Sequence, residues 1–68
     1  MRTSIADNIK KIINQRGLKQ SAVAVRAGYT PKTFNNMLNG RKLIMDFDVE
    51  QICTALEVEP NDLFRPTP

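Results

Sequence analysis

Histidine and tryptophan are absent from this 68-residue chain, and cysteine occurs once. Without histidine the chain lacks the commonest acid–base residue and metal ligand. It also has no Cys–His or Ser–His arrangement, no glycine-rich phosphate loop and no clustered metal ligands. Enzyme chemistry is therefore a poor reading, and no cofactor or metal is expected. Cys53 cannot form an internal disulfide, and its helical spacing with Val49, Ile52 and Leu56 marks it as a small core residue. Nothing suggests a disulfide-built secreted scaffold, so a reducing cytoplasm is the default compartment. No run approaches the ~20 apolar residues that span a bilayer. Asp7, Asn8, Lys10 and Lys11 break up the segment where a signal-peptide core would lie. Neither a membrane nor a small-molecule ligand is expected as a partner.

Acid is missing over a long stretch. Between Asp7 and Asp46 the chain carries eight Lys or Arg residues and no Asp or Glu, an acid-free span of 38 residues. From Leu43 to Phe64 the balance inverts, with six acids and no base. The net charge of +3 hides this polarity. A polyanion meeting the basic span would find attraction from many residues and repulsion from none.

What is present suits a small helical domain. An apolar content of 41% is too high for a disordered chain and enough for one compact core. Ile5, Ile9, Ile12 and Ile13 form one stripe of a first helix over Ile5–Arg16, with Ser4 as N-cap, Asp7 in the first turn and Gly17 as the stop. A second helix is expected over Gln20–Ala27, with Val23, Ala24 and Ala27 facing inward and Gly28 ending it. Thr30-Pro31 is a strong start signal, a hydroxyl cap followed by proline at the first helical position. Tyr29 and Phe34 have the spacing of a hydrophobic staple across that start. The third helix should span Pro31–Asn39, bury Phe34, Met37 and Leu38, and stop at Gly40. Its other face presents Lys32, Thr33, Asn35, Asn36 and Asn39, all polar and none acidic.

A loop follows from Arg41 to Phe47. Asp48 and Gln51 have capping-box spacing, with Phe47 and Ile52 as a staple, so the fourth helix is expected from Asp48 to about Glu57. Pro60 opens a short last helix, with Leu63 and Phe64 closing the core. The expected fold is all-α, a compact bundle of five short helices over residues 1–64, followed by a flexible tail at 65–68.

The stretch from Gly17 to Gly40 meets the packing needs of a helix-turn-helix. Ala24 is small midway along the first of its helices, Gly28 tolerates positive φ in the turn, and Val23, Ala27, Tyr29, Phe34 and Met37 anchor both helices. The second helix keeps a polar face free for base edges. This stretch resembles the lambda-repressor/Cro-like (xenobiotic-response-element) helix-turn-helix family. The motifs that carry the resemblance are Gln20, Val23-Ala24, Gly28, Asn39-Gly40 and the closing segment from Ala55 to Phe64. The match covers roughly residues 5–64. Departures are Lys19 in place of a hydroxyl cap, Ser21 and Ala22 in place of acids, Pro31 early in the recognition helix, and Glu57 in place of a helix-ending glycine. Proline cannot donate a hydrogen bond, so base readout shifts along the helix.

The resemblance implies a DNA-binding transcription regulator with roles that divide as follows. Lys32 can donate to guanine and Asn36 can pair bidentately with adenine, with Thr33 and Asn35 as further base contacts. Gln20, beside Lys19 at a helix start, would hold a backbone phosphate. Thr30, Asn39, Arg41 and Lys42 complete the phosphate set, positioning the domain without reading sequence. Lys10, Lys11 and Arg26 add only to the field. Leu43, Ile44 and Met45 cannot all face one core. Either the surplus is a dimer contact, or the loop folds back over the third and fourth helices; Val25 is similarly open. The family habit is a homodimer on an inverted-repeat operator. The reading is a phage-type or mobile-element repressor of double-stranded DNA, acting in the cytoplasm at the bacterial nucleoid. The rival is a protein-interaction adaptor or antitoxin-like module docking through the acidic half. RNA reading is weaker, because Tyr29, Phe34, Phe47 and Phe64 are all assigned to packing and none is left to stack on bases.

Overall fold

A computed structural model describes residues 5–64, so the expected Ser4 cap and the tail at 65–68 lie outside the described residues. Five helices follow one another: α1 (Ile5–Gln15), α2 (Gln20–Arg26), α3 (Pro31–Leu38), α4 (Asp46–Leu56) and α5 (Pro60–Leu63). Among the described residues there is no strand. The all-α expectation holds, with most helix ends within one residue of the positions that capping chemistry marks.

The apolar stripes meet in one core. Ile9 and Ile13 from α1, Val23 and Ala24 from α2, Phe34, Met37 and Leu38 from α3, Ile52 and Leu56 from α4, and Leu63 from α5 are all buried. Each large side chain in that set contributes roughly 1.5–3 kcal/mol by leaving water. Ala24, with no exposure at all, lets α2 and α3 pack directly on one another. α1 spans the base of α3 and α5, and α4 packs against α2 and α5. Cys53 is buried as expected, and burial first, then the Asp62 charge, pushes its thiol pKa up.

One buried polar residue sits in the α1 stripe. Asn8 is buried and donates from Nδ2 to the Leu63 carbonyl at 2.6 Å, so α1 satisfies a carbonyl at the end of α5. Arg16, just past α1, similarly donates from Nη1 to the Leu56 carbonyl at the end of α4.

Helices α1, α2 and α3 each end on a glycine in the left-handed region. At Gly28 (φ +89) a Cβ would meet nothing within 4 Å, so the backbone angle and not crowding requires glycine there. α4 ends the same way with a different residue. Glu57 takes φ 56 and ψ 47, while Val58 N–H bonds the Cys53 carbonyl at 3.0 Å and Glu57 N–H the Thr54 carbonyl at 3.3 Å. These two bonds close the helix in the Schellman pattern.

Three expectations are corrected. α4 begins at Asp46 and not after Asp48, because the Asp48 carboxylate reaches back to the Met45 N–H at 2.9 Å as the third-position arm of the cap. That register puts Phe47 at the second helical position, where it is 64% exposed and staples nothing. Phe64 does not close the core either, being 46% exposed. α5 is a single turn, and only Leu63 from its end points inward.

Candidate nucleic-acid interface

Local chemistry sets the angle between α2 and α3. Thr30 caps α3, its hydroxyl oxygen accepting from the Thr33 N–H at 3.2 Å and its hydrogen going to Thr33 Oγ1 at 3.0 Å. Pro31 occupies the first turn, where its missing N–H is no loss. Tyr29 stacks on Phe34 with ring centroids 6.4 Å apart and planes 15° from parallel, which is the staple expected from their spacing. Tyr29 N–H then closes α2 on the Ala24 carbonyl at 2.9 Å.

With Phe34, Met37 and Leu38 turned inward, the outer face of α3 is left with the polar set. Lys32, Asn35 and Asn39 are exposed, and Thr33 and Asn36 are half-buried. Lys32 and Asn36 lie one turn apart on the same side. At the far end, Arg41 and Lys42 both donate their backbone N–H groups to the Asn36 carbonyl, at 2.9 and 3.2 Å, so the turn after α3 holds both basic residues against the helix end. Lys19 precedes α2 as its N-cap residue without a side-chain cap, and half-buried Gln20 opens the helix. Gln20 Nε2 donates to Asn35 Oδ1 at 3.1 Å. That bond joins an expected phosphate residue to an expected base-reading residue across the two helices. All ten expected DNA-facing residues thus come from α3, its two flanking turns and the start of α2.

A family model of the Cro/C1-type HTH DNA-binding domain matches residues 8–68. The chain belongs to the Cro/C1-type helix-turn-helix DNA-binding family. The resemblance carried by Gln20, Gly28 and Asn39-Gly40 is therefore correct. A solved structure with the same fold is the restriction-modification controller protein C.AhdI from Aeromonas hydrophila, at a TM-score of 0.83 and 21% identity, covering 91% of this chain and 94% of that one. At that identity the likeness speaks to the fold alone. No curated protein matches the sequence.

In this Cro/C1-type domain the acid-free span is not acid-free in space. Glu57 lies 3.8 Å from Arg26, an exposed pair that water screens. Asp48 approaches the turn, accepting the Tyr29 hydroxyl hydrogen. The Tyr29 bond first, then the Met45 N–H and the Lys42 charge, hold the Asp48 carboxyl below its usual range against the opposing effect of burial. Burial first, then the same bond and the Asp48 charge, push the Tyr29 phenol up. Two acids of the C-terminal half thus neutralise part of the basic side. The outer face of α3 itself carries none.

Leu43, Ile44 and Met45 divide between core and surface. Ile44 is half-buried against the core, while Leu43 and Met45 are 76% and 56% exposed. Phe47 and Val25 are exposed as well. The Gln20–Asn35 and Tyr29–Asp48 bonds have no local sequence signal, because the partners are 15 and 19 residues apart.

Proposed function

We propose that this domain is a sequence-specific regulator of transcription that binds double-stranded DNA, with α3 in the major groove. The observation that carries the reading is the outer face of α3, where Lys32, Thr33, Asn35 and Asn36 stand together with no acid among them. Lys32 donates to guanine O6 or N7, and Asn36 pairs with adenine N6 and N7. Gln20, Lys19, Thr30, Asn39, Arg41 and Lys42 bracket that face and hold phosphates on either side of the groove. Thr30 does so only by releasing Thr33 Oγ1, which its hydroxyl hydrogen occupies in the free domain.

One such domain reaches only a few base pairs, so the operator is read by a two-fold homodimer. Exposed Leu43, Met45 and Phe47 supply the apolar centre of the interface. In sequence they run from basic Arg41-Lys42 into acidic Asp46, Asp48 and Glu50, an order that pairs opposite charges when the segment meets a second copy of itself in antiparallel fashion. The protein acts as a repressor of a phage or mobile element, in the cytoplasm at the bacterial nucleoid.

The test is selection of binding sites from a random duplex DNA library at near-physiological salt. Enrichment of an inverted repeat with half-site centres about one helical turn apart is the expected result. Enrichment of nothing, with binding that vanishes as salt rises, overturns the reading and turns the search to a protein partner for the acidic half.

A further inference from the structure

A groove of about 570 Å³ opens along the C-terminal half of α4, where the chain turns into α5. Its apolar lining comes from Cys53, Val58 and Pro60, with Cys53 only 5% exposed. The Cys53 thiol is free and makes no hydrogen bond among the described residues. Burial first, then the Asp62 charge, keeps it protonated, so it offers the groove a neutral, soft surface. Glu50 and Glu57 also line the groove. They are two helical turns apart on one face of α4, ~10 Å along its axis. Between them, Thr54 gives its hydroxyl hydrogen to the Glu50 carbonyl at 3.0 Å, which leaves the hydroxyl oxygen as an acceptor. Among the described residues no base lines this groove. Glu57 touches Arg26 only at 3.8 Å in an exposed pair, and releasing that contact costs little.

We propose that this groove binds a linear aliphatic polyamine of about the length of spermidine. Glu50 and Glu57 each hold one terminal ammonium, and the methylene chain lies over Cys53, Val58 and Pro60. The shape of the site selects this class. Two carboxylates set two turns apart call for two separated positive charges, and the apolar floor between them calls for a hydrocarbon spacer. A single metal ion needs ligands that converge, and among the described residues no three acidic or sulfur groups do so. A polyanion is repelled. The sequence alone raises no expectation of such a ligand, because Val58 and Pro60 join the face of α4 only once the chain turns into α5. The site stands whether or not α3 reads DNA.

The experiment is a two-dimensional NMR titration of the ¹⁵N-labelled full chain with spermidine at constant ionic strength. DNA is left out so that phosphate does not compete for the amine. Saturable shifts confined to the amides from Glu50 to Pro60 and their neighbours are the expected result. Glu50→Gln and Glu57→Gln should each weaken binding roughly threefold, the scale of an exposed ion pair, and the double variant about tenfold. The same spectra report that each variant is folded. Butylamine, with one ammonium, should bind about tenfold more weakly than spermidine, and magnesium should not reproduce the shifts. Glu50 also belongs to the acidic run that would face a second copy. The titration is therefore repeated in Leu43→Ser/Phe47→Ser, where binding should persist. Shifts that spread over every acid without saturating, or that magnesium reproduces, mean an ionic atmosphere only and overturn the proposal. Unchanged affinity in the double glutamine variant overturns it too, as does loss of binding in Leu43→Ser/Phe47→Ser, which would assign the amine to the interface between copies.

Discussion

The Tyr29 hydroxyl donates to Asp48, fastening the turn of the helix-turn-helix to the first turn of α4. The same carboxylate accepts the Met45 N–H, so one acid caps α4 and anchors the turn that orients α3. Removing the Tyr29 end should cost about 1 kcal/mol, the usual net value of one such bond. Tyr29→Phe keeps the stack on Phe34, so urea unfolding of that variant isolates the bond.

The pair also sets a pH window. Asp48 titrates below its ordinary 3.8 in the folded chain, so its stabilisation is present above that pH and is lost as pH falls through the lower folded value. Tyr29 titrates above its ordinary 10.0 when folded, so its share is present below pH 10 and is lost as pH rises further. Stability should therefore hold between about pH 4 and 10 and drop on both sides. Unfolding at pH 3, 7 and 10.5 tests this, and Tyr29→Phe should fall less steeply than the wild type on both sides.

Glu57 is the one residue besides glycine with positive φ among the described residues. The left-handed region costs a side-chain-bearing residue about 1–2 kcal/mol. Glycine there gives back roughly 0.5–1 kcal/mol through its freer unfolded state. Loss of the exposed Arg26 pair subtracts little. Glu57→Gly should therefore stabilise the domain by about 0.5–1 kcal/mol, seen as a raised Tm. A lowered Tm would show that the Arg26 pair or the local backbone matters more than the strain.

Asn8 is buried beside Ile9, and its amide satisfies the Leu63 carbonyl. Asn8→Ala leaves that carbonyl unpaired at the junction of α1 and α5, a loss of about 1–3 kcal/mol. Denaturant midpoints measure it. Asn8→Leu should be no better, because added apolar volume does not satisfy the carbonyl.

Much of this arrangement was legible in the chain, and what was legible is local. Thr30-Pro31, the Tyr29/Phe34 spacing and the isoleucine stripe each act within a few residues, so α1 to α3 fall close to where they were expected. The outer face of α3 follows directly from which residues the core takes. Asn8 could have been found, since it lies three residues after Ile5 and four before Ile12 on the apolar stripe. The start of α4 was misplaced because an Asp can serve a cap from either end. Tyr29, 19 residues away, holds Asp48 in the role that starts the helix at Asp46. The bonds from Gln20 to Asn35 and from Arg16 to Leu56 join helices whose relative placement no periodicity encodes.

Two substitutions separate positioning from reading. Lys42 follows α3 in the loop and is exposed, and it should meet only phosphate. Lys42→Ala should weaken binding to all sequences alike and lower the salt slope by about one. Asn36→Ala should flatten preference at one base position by ~1–3 kcal/mol. The reverse pattern would exchange their roles. If the wild type binds as the proposed dimer, affinity should fall by ~10³ or more between 50 and 200 mM salt.

The dimer prediction turns on side chains that the monomer does not need. Leu43, Met45 and Phe47 are each more than half exposed, so replacing them with serine removes little buried apolar area from the fold. Leu43→Ser combined with Phe47→Ser should leave the unfolding midpoint of the monomer nearly unchanged. In a two-fold interface the same two positions are lost twice, once from each copy. Self-association, measured by sedimentation across a concentration series, should therefore weaken at least tenfold. Binding to an inverted repeat should become less steep in protein concentration, while binding to an isolated half-site stays the same. A double variant that associates as the wild type does would place the interface elsewhere and return these residues to the loop alone. Loss of the fold itself would show that they pack in solution against the face of α3 and α4.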